Sequence, residues 1–203
     1  MISTTAVKWV FVLAISYLLG SLSFSIVLSK MLGRDIRRQG SGNAGATNMT
    51  RVFGWGAGAA TLAFDVLKAV AAMLIGRALL GDVGICLGGM GSLVGHCWPV
   101  FHQFKGGKGV SVGAAIGLMI DWRVLVTIVA VFLIVALLSK KVSLGSVCAA
   151  VSIVPATLVF APRAPMIALA VFGAVVTICR HAENIKRLIA GTEPDFRAGK
   201  PPK

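Results

Sequence analysis

The sequence predicts an all-α, polytopic membrane protein of about seven transmembrane helices, with its N-terminus outside and its C-terminus in the cytoplasm. Three observations predict it. The 203 residues are 57% hydrophobic and only 13% charged, whereas a soluble domain carries about a quarter charged residues. The apolar residues fall into runs near the ~20 needed for a spanning helix. The basic residues sit in the short gaps between runs, mostly in alternate gaps.

The runs, in order, are 9–29, 57–77, 83–103, 109–122, 123–139, 142–161 and 164–179. The first reads as a retained helix: its apolar stretch is long, its basic flank follows it, and no A-x-A-like cleavage site comes after. The fourth is short, reaching only about 20 Å at ~1.5 Å per residue. A loop dipping into the membrane to meet it would make up the difference. The chain reads as a single integral membrane domain over 1–203 without a linker or low-complexity tract.

Charge sets the orientation. Residues 30–51, 105–108, 140–141 and 180–203 hold fifteen of the twenty Lys and Arg; the opposite gaps hold Lys8, Arg77, Arg123 and Arg163, and Lys68 lies within a span. The positive-inside rule places the richer side in the cytoplasm. If 109–122 did not cross, Lys140 and Lys141 would fall outside, so the bias also favours seven crossings. A net charge of +13 would suggest nucleic acid in a soluble chain. Here its placement suits membrane orientation and anionic ligands, and no nucleic-acid partner is expected. Cys86, Cys97, Cys148 and Cys179 all lie in apolar runs without CxxC spacing, which suits small packing residues better than a metal or redox site.

Three polar segments on the basic side carry the candidate chemistry. Residues 37–51 interleave Gly40, Gly42 and Gly45 with Ser41, Asn43, Thr47 and Asn48, whose side chains add donors for a bound anion, and end on Arg51. Glycine permits backbone conformations that turn successive N–H groups onto one anion, and Arg51 adds a planar cationic fork. The same composition also suits a basic loop lying on anionic headgroups. In the second segment Gly106, Gly107 and Gly109 surround Lys108 just before an apolar helix, where unpaired N–H groups and the helix dipole favour an anion. It is not a Walker loop: His102 stands where the first Gly belongs, and Gly109 replaces the Ser or Thr after the Lys. A Gly-rich turn with one interfacial Lys is the simpler alternative. In the third segment His181 and Asn184 are three apart and share a helical face, while Arg180, Lys186 and Arg187 suit a positive-inside stop. His96 is read as bonding a neighbouring helix.

Asp65 and Lys68 lie three apart inside the second run, a depth where charge is costly and is either functional or an internal ion pair. Ser143 and Ser146 open the sixth run, where serines commonly cap or cross-link helices.

Together these segments resemble the bacterial acyl-phosphate:glycerol-3-phosphate acyltransferase family (PlsY type). Its GSGNxGATN loop is matched at residues 40–48, its GHxFPVFxxFKGGKGV segment at 95–110 with Trp98 in place of Phe, and its RHxxNIxRLxxGTE tail at 180–193. DVLK and VSLxS stretches match at 65–68 and 142–146. The resemblance runs nearly end to end. It implies a seven-helix enzyme of the bacterial inner membrane, with its active site facing the cytoplasm and no cofactor or metal. Such an enzyme moves a fatty acyl group from acyl-phosphate to glycerol-3-phosphate, giving 1-acyl-glycerol-3-phosphate and phosphate. By motif position, Ser41, Arg51 and Lys108 would hold phosphate, and Ser146, His181 and Asn184 would position glycerol-3-phosphate.

A small-anion transporter or channel is the main alternative. It would call for inverted repeats and midplane polar residues, and Asp65 and Lys68 are its best candidates. An H-x4-D acyltransferase is excluded, since Phe101, Gly107 and Lys186 stand five positions after His96, His102 and His181. A metal-dependent phosphotransferase would need clustered carboxylates, and the seven here are scattered. Oligomeric state is not encoded in any motif.

Overall fold

The computed structural model describes residues 4–196. Arg197, Lys200 and Lys203, counted above on the basic side, lie outside the described residues. The described chain is helical without strands: α1 (Thr4–Gly20), α2 (Phe24–Met31), α3 (Ala46–Phe53), α4 (Trp55–Cys97), α5 (Val110–Ile120), α6 (Trp122–Ser139), α7 (Val142–Phe160), α8 (Ala164–Arg180) and α9 (Ala182–Ile189), with 3₁₀ turns at Ile36–Arg38 and Val100–His102.

The 43 residues of α4 would reach about 65 Å if straight, twice the ~30 Å hydrocarbon core. They do not run straight. Gly81 adopts φ 58°, ψ −135°, a conformation that glycine tolerates without a steric penalty. The helix folds back there into two antiparallel limbs, 55–80 and 82–97. Gly76 lies against the backbone of Gly84, and Gly88 against Ala72, so absent side chains let the limbs touch. The predicted spans 57–77 and 83–103 are these limbs, except that the second leaves helix at Trp98. The predicted first span, 9–29, is likewise interrupted at 21–23, between α1 and α2.

α1 packs along the second limb, with Gly91 and Gly95 set against the backbone of Leu13 and Tyr17. Close approach through small residues is how helices associate where apolar burial gives no advantage over lipid. The main core joins both limbs to α5 and α8 through Met73, Leu93, Val112, Ile116, Met166 and Leu169, all fully buried. α6 buries only Val124 and Ile128 and exposes Val126, Val129, Leu133, Ile134, Leu137 and Leu138. An outward apolar face of that size belongs in lipid.

Four helical stretches among the described residues are long and apolar enough to cross a membrane: Thr4–Met31, Trp55–His102, Trp122–Ser139 and Val142–Phe160. A fifth is obtained if α8 and α9, bent by 61°, count as one. α5 is short, as its 11 residues dictate.

The turns segregate to two ends. At one, Arg163 pairs with Asp82 and Arg123 with Asp121 and the Phe160 carbonyl. At the other, segments 35–55, 98–111, 140–146 and 177–196 converge. Segment 30–51, read from sequence as loop, contains most of α3, whose Met49 inserts with Ile26, Ile36 and Ala44 into a second small core. Only the apolar stripe of this short helix is buried, so it lacks the long run that marks a span.

Candidate active site

Each polar segment reaches the site by a different local route. In the first, the loop ahead of α3 folds around Asn48. That side chain is buried and donates to the carbonyls of Gln39 at 2.9 Å, Asn43 at 3.0 Å and Ile36 at 3.3 Å, while its Oδ1 accepts from the Ser41 N–H at 3.0 Å. Asn48, expected as a donor to substrate, is thus occupied within the loop. Gly40 stands against its amide, where a Cβ would clash. Ser41 and Gly42 lie exposed on the rim. Gly45 caps α3 in an extended conformation, with the Asn43 amide beside it. Arg51 lies in the last turn of α3, half-buried, its guanidinium 6.0 Å from the Phe196 ring centroid.

The second segment is folded by its glycines. Gly107 donates its N–H to the His96 carbonyl at 3.0 Å and lies flat on the His96 ring, and Gly106 packs between the His96 carbonyl and Pro99. The Gly107 N–H is therefore not available to an anion. Gly109, at φ 88°, turns the chain into α5, whose first-turn N–H groups lack helical partners. Arg180 holds the loop from outside: its Nε donates to the Gly107 carbonyl at 3.2 Å and its guanidinium covers Trp98 at 5.3 Å.

The third segment bends between α8 and α9 at His181. His181 is buried, and its Nδ1 lies 2.8 Å from the Thr177 carbonyl. A carbonyl only accepts, so Nδ1 carries the ring proton and Nε2 keeps its lone pair. Burial lowers the His181 pKa, and the Thr177 bond only partly offsets this, so the ring is neutral near pH 7. One turn on, Asn184 Oδ1 accepts from the Lys108 ammonium, and its Nδ2 donates to Glu193 Oε1 at 2.7 Å.

Glu193, which sequence reasoning did not single out, is the hub. Its other oxygen accepts from Arg187 Nε at 2.7 Å, and its backbone carbonyl accepts from Lys141. Burial pushes its carboxyl up, but the hydrogen bonds from Asn184 and Arg187 and the Arg187 charge outweigh that and hold it below the usual range. Lys141 also pairs with Asp195 at 2.8 Å, and the Phe196 N–H donates to the Lys140 carbonyl at 3.0 Å. The strap 190–196 is thereby tied to the start of α7. On α7 the Ser146 hydroxyl is buried and bonds back to the Val142 carbonyl at 2.9 Å. The only sequence signals for Glu193 and Lys141 were the end of the tail motif and a basic pair that charge bias already explained.

Lys108 thus sits where burial is the largest influence, Arg187, Arg180 and Arg51 repel it, and Glu193 partly compensates. Its pKa falls from 10.5 to about 8. Arg51, Arg180, Arg187, Lys108 and Lys141 against the carboxylates of Glu193 and Asp195 leave excess positive charge, which suits a phosphate-bearing ligand. Among the described residues no group of three or more His, Cys, Asp or Glu is arranged to hold a metal ion.

Asp65 and Lys68 lie apart from this group. They form a buried ion pair at 2.9 Å, with His96 Nδ1 3.5 Å from Asp65. His96 bonds across to a neighbouring helix, as its sequence context suggested.

A family model for glycerol-3-phosphate acyltransferase matches residues 10–191. The chain is 40% identical over 180 residues to a glycerol-3-phosphate acyltransferase of Thermoanaerobacter pseudethanolicus, covering 88% of this chain and 91% of that one. It is 44% identical to one of Shouchella clausii, covering 87% and 90%. Its structure is similar to that of PlsY, an integral membrane glycerol 3-phosphate acyltransferase solved in a glycerol 3-phosphate form. There the TM-score is 0.89 at 35% identity, covering 93% of this chain and 96% of that one. A lysophosphatidic acid form matches with a TM-score of 0.87 at 34% identity. A match across nearly the whole chain, in sequence and in fold, sets the transporter alternative aside: the chain belongs to the glycerol-3-phosphate acyltransferase family.

Proposed function

We propose that the cationic end of the bundle transfers a fatty acyl group from acyl-phosphate to glycerol-3-phosphate. The observation that carries this reading is Lys108, hydrogen-bonded to Asn184 and surrounded by Arg51, Arg180 and Arg187, at one end of a lipid-facing helical bundle. The relatives are named for glycerol-3-phosphate acylation, and the similar structures hold glycerol 3-phosphate and lysophosphatidic acid, an acceptor and its acylated product. Both proposed substrates carry phosphate, and the acyl chain can stay in lipid, out of water.

In this reading the acceptor hydroxyl attacks the acyl carbonyl carbon. The bond from that carbon to the phosphate oxygen breaks, and the hydroxyl proton passes to a phosphate oxygen. An acyl-phosphate already carries a good leaving group, so no acyl-enzyme is required. Lys108 and Arg51 stabilise the charge that develops on phosphate and carbonyl oxygens. Neutral His181 and Asn184 orient the acceptor with Ser146, and Ser41 joins Arg51 at the rim. Purified protein given glycerol-3-phosphate should make 1-acyl-glycerol-3-phosphate from acyl-phosphate and not from acyl-CoA. A stoichiometric acyl adduct on the intact protein, discharged by glycerol-3-phosphate at the turnover rate, would overturn direct transfer.

The same reading places seven crossings in the membrane, with the N-terminus outside and the site facing the cytoplasm. Its support is the positive-inside bias together with the gathering of the polar motifs at one end. A single cysteine introduced as Lys141→Cys, in a background lacking the four native Cys, should resist impermeant thiol reagents in intact spheroplasts and react after lysis. Labelling from outside would reverse the topology.

A further inference from the structure

The buried group beneath the Lys108 loop has no part in the reaction described so far, and its connections are specific. Asp65 Oδ1 lies 2.9 Å from Lys68 Nζ and 3.5 Å from His96 Nδ1, while Asp65 Oδ2 accepts from Ser111 Oγ at 3.2 Å. The Asp65, Lys68 and His96 side chains are at most 4% exposed. Lys68 also lies 3.3 Å from His96 Nδ1 and donates to the Leu22 carbonyl at 2.7 Å, at the break between α1 and α2.

His96 and Ser111 flank the loop that carries Lys108. His96 is the last residue but one of α4, and Ser111 is the second of α5. A single carboxylate on the first limb therefore touches both ends of the loop. His96 also shapes its middle, through the Gly107 N–H bond to its carbonyl and through the ring on which Gly107 lies. Burying an ion pair this deep in a membrane bundle is costly, and two apolar residues would pack there at less cost. A pair that served helix packing alone would not need to reach both flanks of the anion-binding loop.

We propose that Asp65, held by Lys68, is a positioning residue for this loop, clamping its two ends through His96 and Ser111 so that Lys108 and the α5 N-terminus face the substrate phosphate. This rests on the acyl-transfer reading above. A shift of about 1 Å in a positioned group, caused by a change remote from the chemistry, can cost up to roughly 100-fold.

Ser111→Ala deletes one arm and leaves the ion pair whole, and Ser111→Thr keeps the hydroxyl. In full-length detergent-purified protein, Ser111→Ala should raise KM for glycerol-3-phosphate or acyl-phosphate about 3- to 10-fold. Its kcat should stay within about threefold, and Ser111→Thr should restore KM. The double variant Asp65→Asn/Lys68→Met removes both buried charges together, avoiding an uncompensated one, and should raise the same KM. Unchanged KM for both substrates in these variants, with or without a lower thermal midpoint, would overturn the positioning role and leave a packing role. An inactive wild type would overturn the acyl-transfer reading together with it.

Discussion

Lys108→Ala loses one to two decades of kcat/KM while the protein stays folded. Losing a charge-assisted contact to phosphate removes about 1.5–3 kcal/mol, and each ~1.4 kcal/mol in the transition state is tenfold in rate. The fold should tolerate the change. Lys108 is a loop residue whose direct partner is the Asn184 amide, and deleting it relieves its repulsion with Arg51, Arg180 and Arg187. Lys108→Arg should rescue only partly, because a planar fork does not reproduce a compact ammonium. Arg51→Ala should lose about tenfold or more by the same logic. Initial rates at saturating and limiting glycerol-3-phosphate check this, with size-exclusion elution as the folding control. Wild-type turnover by Lys108→Ala would remove the phosphate-binding role.

The lowered pKa of Lys108 adds a pH signature. In free enzyme the ammonium is lost as pH rises through about 8, so kcat/KM should fall above that value. For stability the sign is opposite. Between about 8 and 10.5 the unfolded chain holds the proton and the folded chain does not, so this residue's contribution to stability rises with pH across that window.

Glu193→Ala has the second large effect, and unlike Lys108→Ala it lowers stability and activity together. It strips the acceptor from both Asn184 and Arg187. Asn184 is buried and then free to flip, and Lys108 loses its fixed partner. Arg187 is half-exposed, so water recovers part of the loss; a net cost of ~2–3 kcal/mol follows. The thermal midpoint should drop by about 4–12 °C and the rate by tenfold or more. Glu193→Gln should fall between the two, because its amide keeps one acceptor oxygen for Asn184 and presents a donor to Arg187. The Glu193 carboxyl is held below 4.5, so its contribution is complete above that pH and is lost as pH falls below it. A wild-type midpoint and rate in Glu193→Ala would refute the hub role.

Much of this molecule is local and therefore legible in one dimension. Spans show as runs of apolar residues because lipid must be matched residue by residue. The limbs of α4, α5, α6, α7 and α8 lie where the runs lie, within a few residues. The Lys108 loop, Arg51, and the His181–Asn184 pair were visible because glycines, cations and helical spacing are properties of neighbours in sequence. The same holds for Asp65 and Lys68, whose pairing follows from three-residue spacing on a helix.

Other features depend on contacts that no local window contains. Lys108 meets Asn184 across 76 residues, and Lys141 meets Glu193 across 52; only the folded bundle brings them within hydrogen-bond reach. Composition marked Asn48 as one more donor in a polar loop, and the fold commits its amide to four backbone partners. The eight residues of α3 are too few and too polar to be seen as apolar periodicity, and they are helical because Met49 finds a cavity against Ile26 and Ile36. Residue type and spacing by themselves determined that this chain lives in lipid with its basic residues gathered between the apolar runs. Tertiary structure decided which of those residues face one another and which are consumed in holding the others, since hydrogen bonds are won by geometry and composition carries none.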